Sequence, residues 1–197
     1  MKKNSKNKTT DFLFEVGMLA KTPRSGFFFL GSGEQSVAEH VNRVCYVGFA
    51  LASVAKNVDI SKVLQMCLFH DLTETRISDL NYIHQKYTIR DENCAIQDLT
   101  FGLPFGKKIC DIVTEYEAKK TYESILAKDA DQIEQMLSLK EQIDIGNTRA
   151  KTWIPPLIKR LKTKEAKALV KNITNTDSDN WWFKNKNDDW WVNRKKK

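Results

Sequence analysis

Ser36-Val37-Ala38-Glu39-His40-Val41-Asn42-Arg43-Val44 is the stretch whose reading decides the fold. A hydroxyl followed three residues later by a carboxylate has the form of a capping box, in which the Ser side chain serves the orphan amides of a starting helix and the Glu side chain reaches back. Val37, Val41, Val44, Gly48, Leu51 and Ala55 then recur at spacings of three and four, lining one face with small and branched apolar groups. A helix therefore starts after Ser36, with His40 one turn inside it.

Working outward, the same signature continues. A second helix starts at Asp59 or Ser61 and runs through Val63, Leu64, Cys67 and Leu68 to His70 and Asp71, and Asp91 to Leu99 forms a third. Leu103-Pro104-Phe105-Gly106 marks a break. From Lys108 to Tyr122 the apolar residues Ile109, Ile112, Val113 and Tyr116 keep helical spacing, as do Ile125, Leu126, Ile133, Met136 and Leu137 between Glu123 and Asp144. The Pro155-Pro156 step precedes another helical segment from Leu157, and Thr163-Lys164-Glu165 starts a last one through Ile173. Strand-like alternation is nearly absent. The expectation is an all-α domain from about residue 11 to residue 174, with a partly disordered, Trp-rich end from Asn180.

A chain of 197 residues, 41% apolar, can bury roughly 70% of its unfolded surface without disulfides or a structural metal. Its formal charge of +7 invites a nucleic-acid reading, but the charge sits at the ends. Residues 1–10 carry Lys2, Lys3, Lys6 and Lys8 with no acid; residues 181–197 carry six cations against Asp188 and Asp189, so residues 11–180 sum to −1. Binding to a phosphate backbone is thus an argument about the tails alone. Cys45, Cys67, Cys94 and Cys110 lack paired spacing and lie among apolar neighbours, which reads as reduced, mostly packed thiols. The Lys-rich start runs into Asn, Thr and Asp, unlike a secretory leader. The longest nearly apolar stretch, Val44 to Ala55, is 12 residues, short of the roughly 20 that a spanning helix needs. No membrane association and a cytoplasmic location are expected.

Two of the three histidines fall in informative places. His40 lies in the capped helix. His70-Asp71 ends an apolar run, where burying two ionisable groups is costly unless they are paired or metal-bound. A further acid, Asp131, lies in Lys128-Asp129-Ala130-Asp131 at the start of a later helix. Imidazole and carboxylate together suit Mg²⁺ or a first-row divalent metal with positions left open for water and substrate.

The order His40, His70-Asp71, Asp131 resembles the HD-domain metal-dependent phosphohydrolases. Ser36-Val37-Ala38-Glu39-His40, then His70-Asp71-Leu72-Thr73-Glu74 with Asp79 five residues on, then Lys128-Asp129-Ala130-Asp131 are together similar to the 5'-deoxynucleotidase branch, which includes YfbR-like enzymes and archaeal and eukaryotic HD-domain relatives. Pro23-Arg24-Ser25-Gly26 and Thr176-Asp177-Ser178-Asp179-Asn180-Trp181-Trp182 extend the likeness to about residues 11–183. This places a basic extension at 1–10 before the domain and a basic, Trp-containing tail at 184–197 after it.

The resemblance implies a helical bundle around one divalent ion (Co, Mn, Mg, Zn, Fe or Ni), with His40, His70, Asp71 and Asp131 as ligands. It further implies a homodimer and hydrolysis of nucleoside 5'-monophosphates by a metal-bound water. The choice of Asp131 over Asp129 rests on the same alignment. Glu74 is the implied acid or base, at the attacking water or the departing 5'-oxygen. Asp79 is implied to face the sugar or the metal water, with helix capping as its plainer role. Arg24 is implied to hold the phosphate with its planar fork.

Other residues stay open. Phe27, Phe28 and Phe29 can pack under a base or in the core, His84 reads as a surface or lid residue, and Glu115 and Glu117 reach the site or pair with Lys119 or Lys120. Trp181-Trp182 is expected to pack on the bundle or a dimer partner. Two alternatives remain: a phosphohydrolase of nucleoside triphosphates or another small phosphate ester, and a nucleic-acid or partner-binding module that works through its basic tails.

Overall fold

The computed structural model describes residues 2–194, with side chains from residue 7 on; Lys195, Lys196 and Lys197 of the basic tail, and the side chains of Lys2, Lys3 and Lys6, lie outside the described residues. In chain order the elements are α1 (Lys2–Val16), a 3-10 turn (Gly17–Ala20), α2 (Phe27–Leu30), α3 (Val37–Val54), α4 (Ile60–Phe69), α5 (Glu74–Ile77) and α6 (Tyr82–Tyr87). They continue with α7 (Glu92–Thr100), α8 (Gly106–Ala118), α9 (Tyr122–Asp144), α10 (Thr148–Arg160), α11 (Lys164–Thr174), α12 (Asn180–Phe183) and α13 (Asp189–Asn193). Among the described residues the only β contact is an isolated antiparallel bridge between Pro23 and Ser36.

The helices begin where side chains can take up their orphan amides. The capping box at Ser36 and Glu39 is complete, and the side chains of Asp59, Asp91, Thr121 and Thr163 each accept a backbone N–H of the helix they start. Caps of this kind contribute about 0.5–2 kcal/mol each. α1 runs unbroken across residue 10, where the basic composition ends.

α9 is the hub, with α3, α4, α8, α10 and α11 packed on it. Leu126, Ala127, Ala130, Ile133 and Met136 are fully buried against Val44, Leu51, Val63 and Met66 in the main core. A second core joins Phe12 and Leu19 to Val37, Val41, Leu72, Ile96, Leu99, Ile109 and Val113. Gly48 lets α3 and α4 come together, since a Cβ there would lie 2.5 Å from Cys67 Sγ. His40 therefore sits on α3 between Val37 and Val41 of one core and Val44 of the other.

Four expectations change. The helix around Pro155 and Pro156 starts at Thr148 and carries both prolines inside it. Ala150, Ile154, Leu157 and Leu161 are buried, while Lys151, Thr152 and both prolines face solvent, so water can serve the carbonyls that lose a donor. The Trp-rich end forms the short helices α12 and α13 instead of lacking order. Trp181 is 86% exposed and not packed on the bundle, while Trp182, Phe183 and Trp191 pack on one another at centroid distances of 5.0–5.5 Å. All four cysteines are free, but Cys94 is exposed, because it falls on the solvent side of α7. Among the described residues no helix is long and apolar enough to cross a membrane.

Candidate metal centre

Three segments distant in sequence meet at one point: α3 supplies His40, the C-cap of α4 supplies His70 with Asp71 next to it, and α9 supplies Asp131. His40 Nε2 lies 3.3 Å from Asp131 Oδ1 and 3.5 Å from Asp71 Oδ2, and His70 Nε2 lies 3.2 Å from Asp71 Oδ2. Ligand atoms of His40, His70 and Asp131 all fall within 4.8 Å of one another.

The imidazole tautomers follow from what the other ring nitrogens meet. His70 Nδ1 is 2.8 Å from the Cys67 carbonyl, which can only accept, so Nδ1 carries a hydrogen and Nε2 is the ring atom turned to the cluster. His40 Nδ1 is 2.5 Å from Glu134 Oε2, the arrangement that orients a metal-binding imidazole. His40 Nε2, His70 Nε2, Asp71 Oδ2 and Glu74 Oε2 are buried polar atoms with no hydrogen-bond partner. Orphans of this kind cost about 1–3 kcal/mol each unless something else satisfies them. Two imidazole nitrogens, each able to give up a proton to a metal, and the carboxylate oxygens beside them form a donor set that fits a divalent ion.

The charges of the cluster set one another's protonation. Burial disfavours the charged form of His40, as does Arg24, but the carboxylates of Asp131 and Glu134 prevail and push its pKa up to about 9. Burial likewise opposes ionisation of Asp71, Asp131 and Glu134. His70 and His40 nevertheless hold Asp71 low, Lys128 and His40 hold Asp131 low, and His40 and Arg43 bring Glu134 to about 2. Glu74 goes the other way: burial, then Asp71 and Asp79, push it up to about 10.

No helix runs on from Asp71 into Glu74. α4 ends at Phe69, and a turn closed by Leu72 N–H to Phe69 O and Glu74 N–H to Asp71 O leads into α5, so the turn brings Glu74 beside Asp71. Ser78 has φ 63° and ψ 163°, a region that is costly for a side-chain-bearing residue, and the redirected chain delivers Asp79 to the Arg24 loop. There Asp79 Oδ2 accepts from Ser25 N–H at 2.7 Å, and Asn81, not Asp79, caps α6. Arg24 Nη1 stands 3.6 Å from Asp71 and 3.7 Å from Asp79. Its loop is tied to the start of α3 by Arg24 N–H to Gln35 O and Val37 N–H to Thr22 O.

Arg24, His70, Asp71, Glu74, Asp79 and Asp131 line one cleft of about 840 Å³, with His40 fully buried beneath it. Asp129 plays a different part from Asp131: it accepts from the Lys162 and Thr163 amides and the Thr163 hydroxyl, locking the start of α11. Glu115 pairs with Lys62 at 2.8 Å, neither with the site nor with Lys119 or Lys120, while Glu117 pairs with Lys119 at 3.6 Å and lines the cleft. Phe27 lines the cleft as well, Phe28 and Phe29 face solvent, and His84 is exposed.

Sequence reading missed Glu134, Lys128 and the site role of Tyr116. Lys128 Nζ lies 3.0 Å from Asp131 Oδ2 and donates to Tyr116 Oη at 3.1 Å, and the Tyr116 ring rests 5.3 Å from His70. The signal was spacing: Lys128 and Glu134 flank Asp131 by three residues on either side, which places all three on one helix face.

An all-helical bundle holding a His, His-Asp and Asp group at the junction of its cores defines an HD-domain protein, and a family profile described as HD domain matches residues 16–174. The chain belongs to this family. It is 33% identical over 144 residues to the 5'-deoxynucleotidase HDDC2 of Dictyostelium discoideum, across 66% of this chain and 75% of that one. Among solved structures, a conserved hypothetical protein from Pyrococcus furiosus matches with a TM-score of 0.72 and 27% identity, over 84% of this chain and 97% of that one. A protein from Magnetospirillum magnetotacticum described as a predicted metal-dependent phosphohydrolase shares the fold, with a TM-score of 0.70 and 22% identity over 87% and 94%.

Proposed function

We propose that the protein is a 5'-nucleotidase that hydrolyses deoxyribonucleoside 5'-monophosphates to nucleoside and phosphate, with His40, His70, Asp71 and Asp131 holding one divalent ion. The observation that carries this reading is the convergence of the unpartnered atoms of His40, His70 and Asp71 with Asp131, Arg24 and Glu74 at a cleft of about 840 Å³. That size lies within the roughly 300–1,000 Å³ range of small-molecule sites. A divalent ion there supplies Lewis-acid polarisation of a phosphate oxygen and acidifies water.

The chain's own groups do the rest. Arg24 is held between Asp71 and Asp79 and offers its guanidinium fork to the phosphate. Asp79, fastened to Ser25, fixes the Arg24 loop and meets the sugar. Glu74 is buried among acids that favour its protonated form, so its carboxyl delivers a proton to the departing 5'-oxygen. Glu134 keeps the His40 ring turned so that Nε2 would be the atom that holds the ion.

Four free thiols suit a reducing compartment such as the cytoplasm. A homodimer has a candidate surface on α3, where Tyr46, Phe49 and Val54 are exposed along one face. The assay is phosphate release from nucleoside mono- and triphosphates by purified protein with Co²⁺, Mn²⁺ or Mg²⁺. Release from monophosphates is expected. Absence of release from every monophosphate removes the reading, and liberation of triphosphate replaces it with a triphosphohydrolase.

A further inference from the structure

Tyr82 and Arg160 lie 78 residues apart in sequence, on α6 and at the end of α10, and both line the cleft. Arg160 Nη1 donates to Tyr82 Oη at 2.9 Å, and the guanidinium stands 5.6 Å from the Tyr82 ring centroid. The same Nη1 reaches Gln132 Oε1 at 3.4 Å, while Gln132 Nε2 is 3.3 Å from Asp131 Oδ2. The Tyr82–Arg160 contact is therefore one side-chain amide away from the metal group.

Both partners stand on firm supports. Asn81 caps α6 by accepting from the Ile83 and His84 amides, and Gln85 N–H returns to Asn81 O. Just beyond Arg160, the Lys162 and Thr163 amides are fastened to Asp129. The contact itself is exchangeable: Tyr82 is 54% exposed, and among the described residues Arg160 has no carboxylate within ion-pair distance, only a phenol and an amide. An aromatic face, a planar cation and an amide with both donor and acceptor thus share one wall of a site that takes a phosphate ester.

A nucleobase is recognised by these three kinds of group, by stacking on rings and guanidinium planes and by hydrogen bonds at its edge. We propose that Tyr82 and Arg160 form the nucleobase subsite, the base stacking on the Tyr82 ring against the Arg160 guanidinium, with Gln132 at the base edge. The inference rests on the nucleotidase reading and deepens it, because it makes the substrate a nucleotide rather than any small phosphate ester. Every base has a π face, so a subsite built on stacking accepts several bases.

The test is calorimetric binding to metal-loaded Glu74→Gln protein, in which turnover is slowed, using deoxyadenosine 5'-monophosphate and base-free deoxyribose 5-phosphate. Tyr82→Ala on this background should weaken nucleotide binding roughly 5- to 100-fold. Binding of the base-free ester should stay within about twofold, since neither side chain is assigned to the phosphate. Tyr82→Phe retains the ring and should bind like its parent, and Arg160→Ala should show the same ligand selectivity as Tyr82→Ala. Equal losses for both ligands, no loss for either, or a parent protein that prefers the base-free ester would overturn the subsite. Tyr82-dependent nucleotide binding without hydrolysis by the wild-type enzyme would remove the nucleotidase reading and keep the subsite. Hydrolysis indifferent to Tyr82→Ala would do the reverse.

Discussion

The seam between α3, α4 and α9 and the segment beyond Thr174 handle charge and aromatic rings in opposite ways. In the seam His40, His70, Asp131 and Glu134 are buried, and each faces a named partner within a few ångströms. In the C-terminal segment Trp181 is 86% exposed, Lys186 lies over the Phe183 ring, and Lys184, Lys186 and Arg194 are exposed. Burial makes a charge expensive to leave unpaired, so the geometry of the seam is tightly specified. Solvent screens the tail, where a single contact contributes about 1 kcal/mol or less. The lesson is that the most conspicuous features of the composition lie where they matter least to the fold.

The contrast is broken most directly at Asp71. Asp71→Ala should abolish both metal uptake and turnover, measured by metal analysis and phosphate release; a fully active variant would mean that the seam is not the site. Glu74→Gln should keep the metal but lower turnover by about 10²- to 10⁴-fold, and loss of metal instead would make Glu74 a ligand. Met136→Ala, fully buried in the main core, should cost about 2–5 kcal/mol in urea unfolding.

Glu134→Gln should weaken metal affinity about 10- to 100-fold, read by chelator competition. An unchanged affinity would show that His40 needs no orienting partner. At the other pole, truncation after Phe183 removes Trp191 from its contacts with Trp182 and Phe183. Stability should change by only about 1 kcal/mol and turnover not at all; a large loss in either would join the tail to the functional body.

The smallest expected effect is on the surface pair of Arg76 with Glu15, 2.5 Å apart. The hydrogen bond from Arg76 outweighs burial and holds Glu15 below its ordinary value of 4.5. Since the folded value is the depressed one, the pair's contribution is complete above pH 4.5 and fades as the pH falls through the folded value. Glu15→Gln should flatten the acid limb of the stability profile slightly.

Much of this was legible. Ser36, Glu39 and the spacing from Val37 announced α3, because capping and a 3.6-residue period are local properties of a chain. Asp59, Asp91 and Thr163 announced their helices for the same reason. The prolines misled because their cost depends on which face of α10 meets solvent, which only packing shows. Asp129 and Asp131 are chemically alike and two residues apart, so chemistry alone left both open as ligands; the rotation of α9 turns one toward Thr163 and the other toward His40. Glu134 had its spacing to Asp131 as a signal, but its role exists only once α3 lies against α9.

What the residues determined by themselves was most of the long helices, a body of net charge −1 and the ionisable groups set within it, since each follows from near-neighbour pattern and composition. Only the tertiary structure decided which of those groups meet. His40, His70 with Asp71, and Asp131 are brought to one point by the packing of three helices on two cores, where their ring nitrogens and carboxylate oxygens form a group suited to a divalent ion.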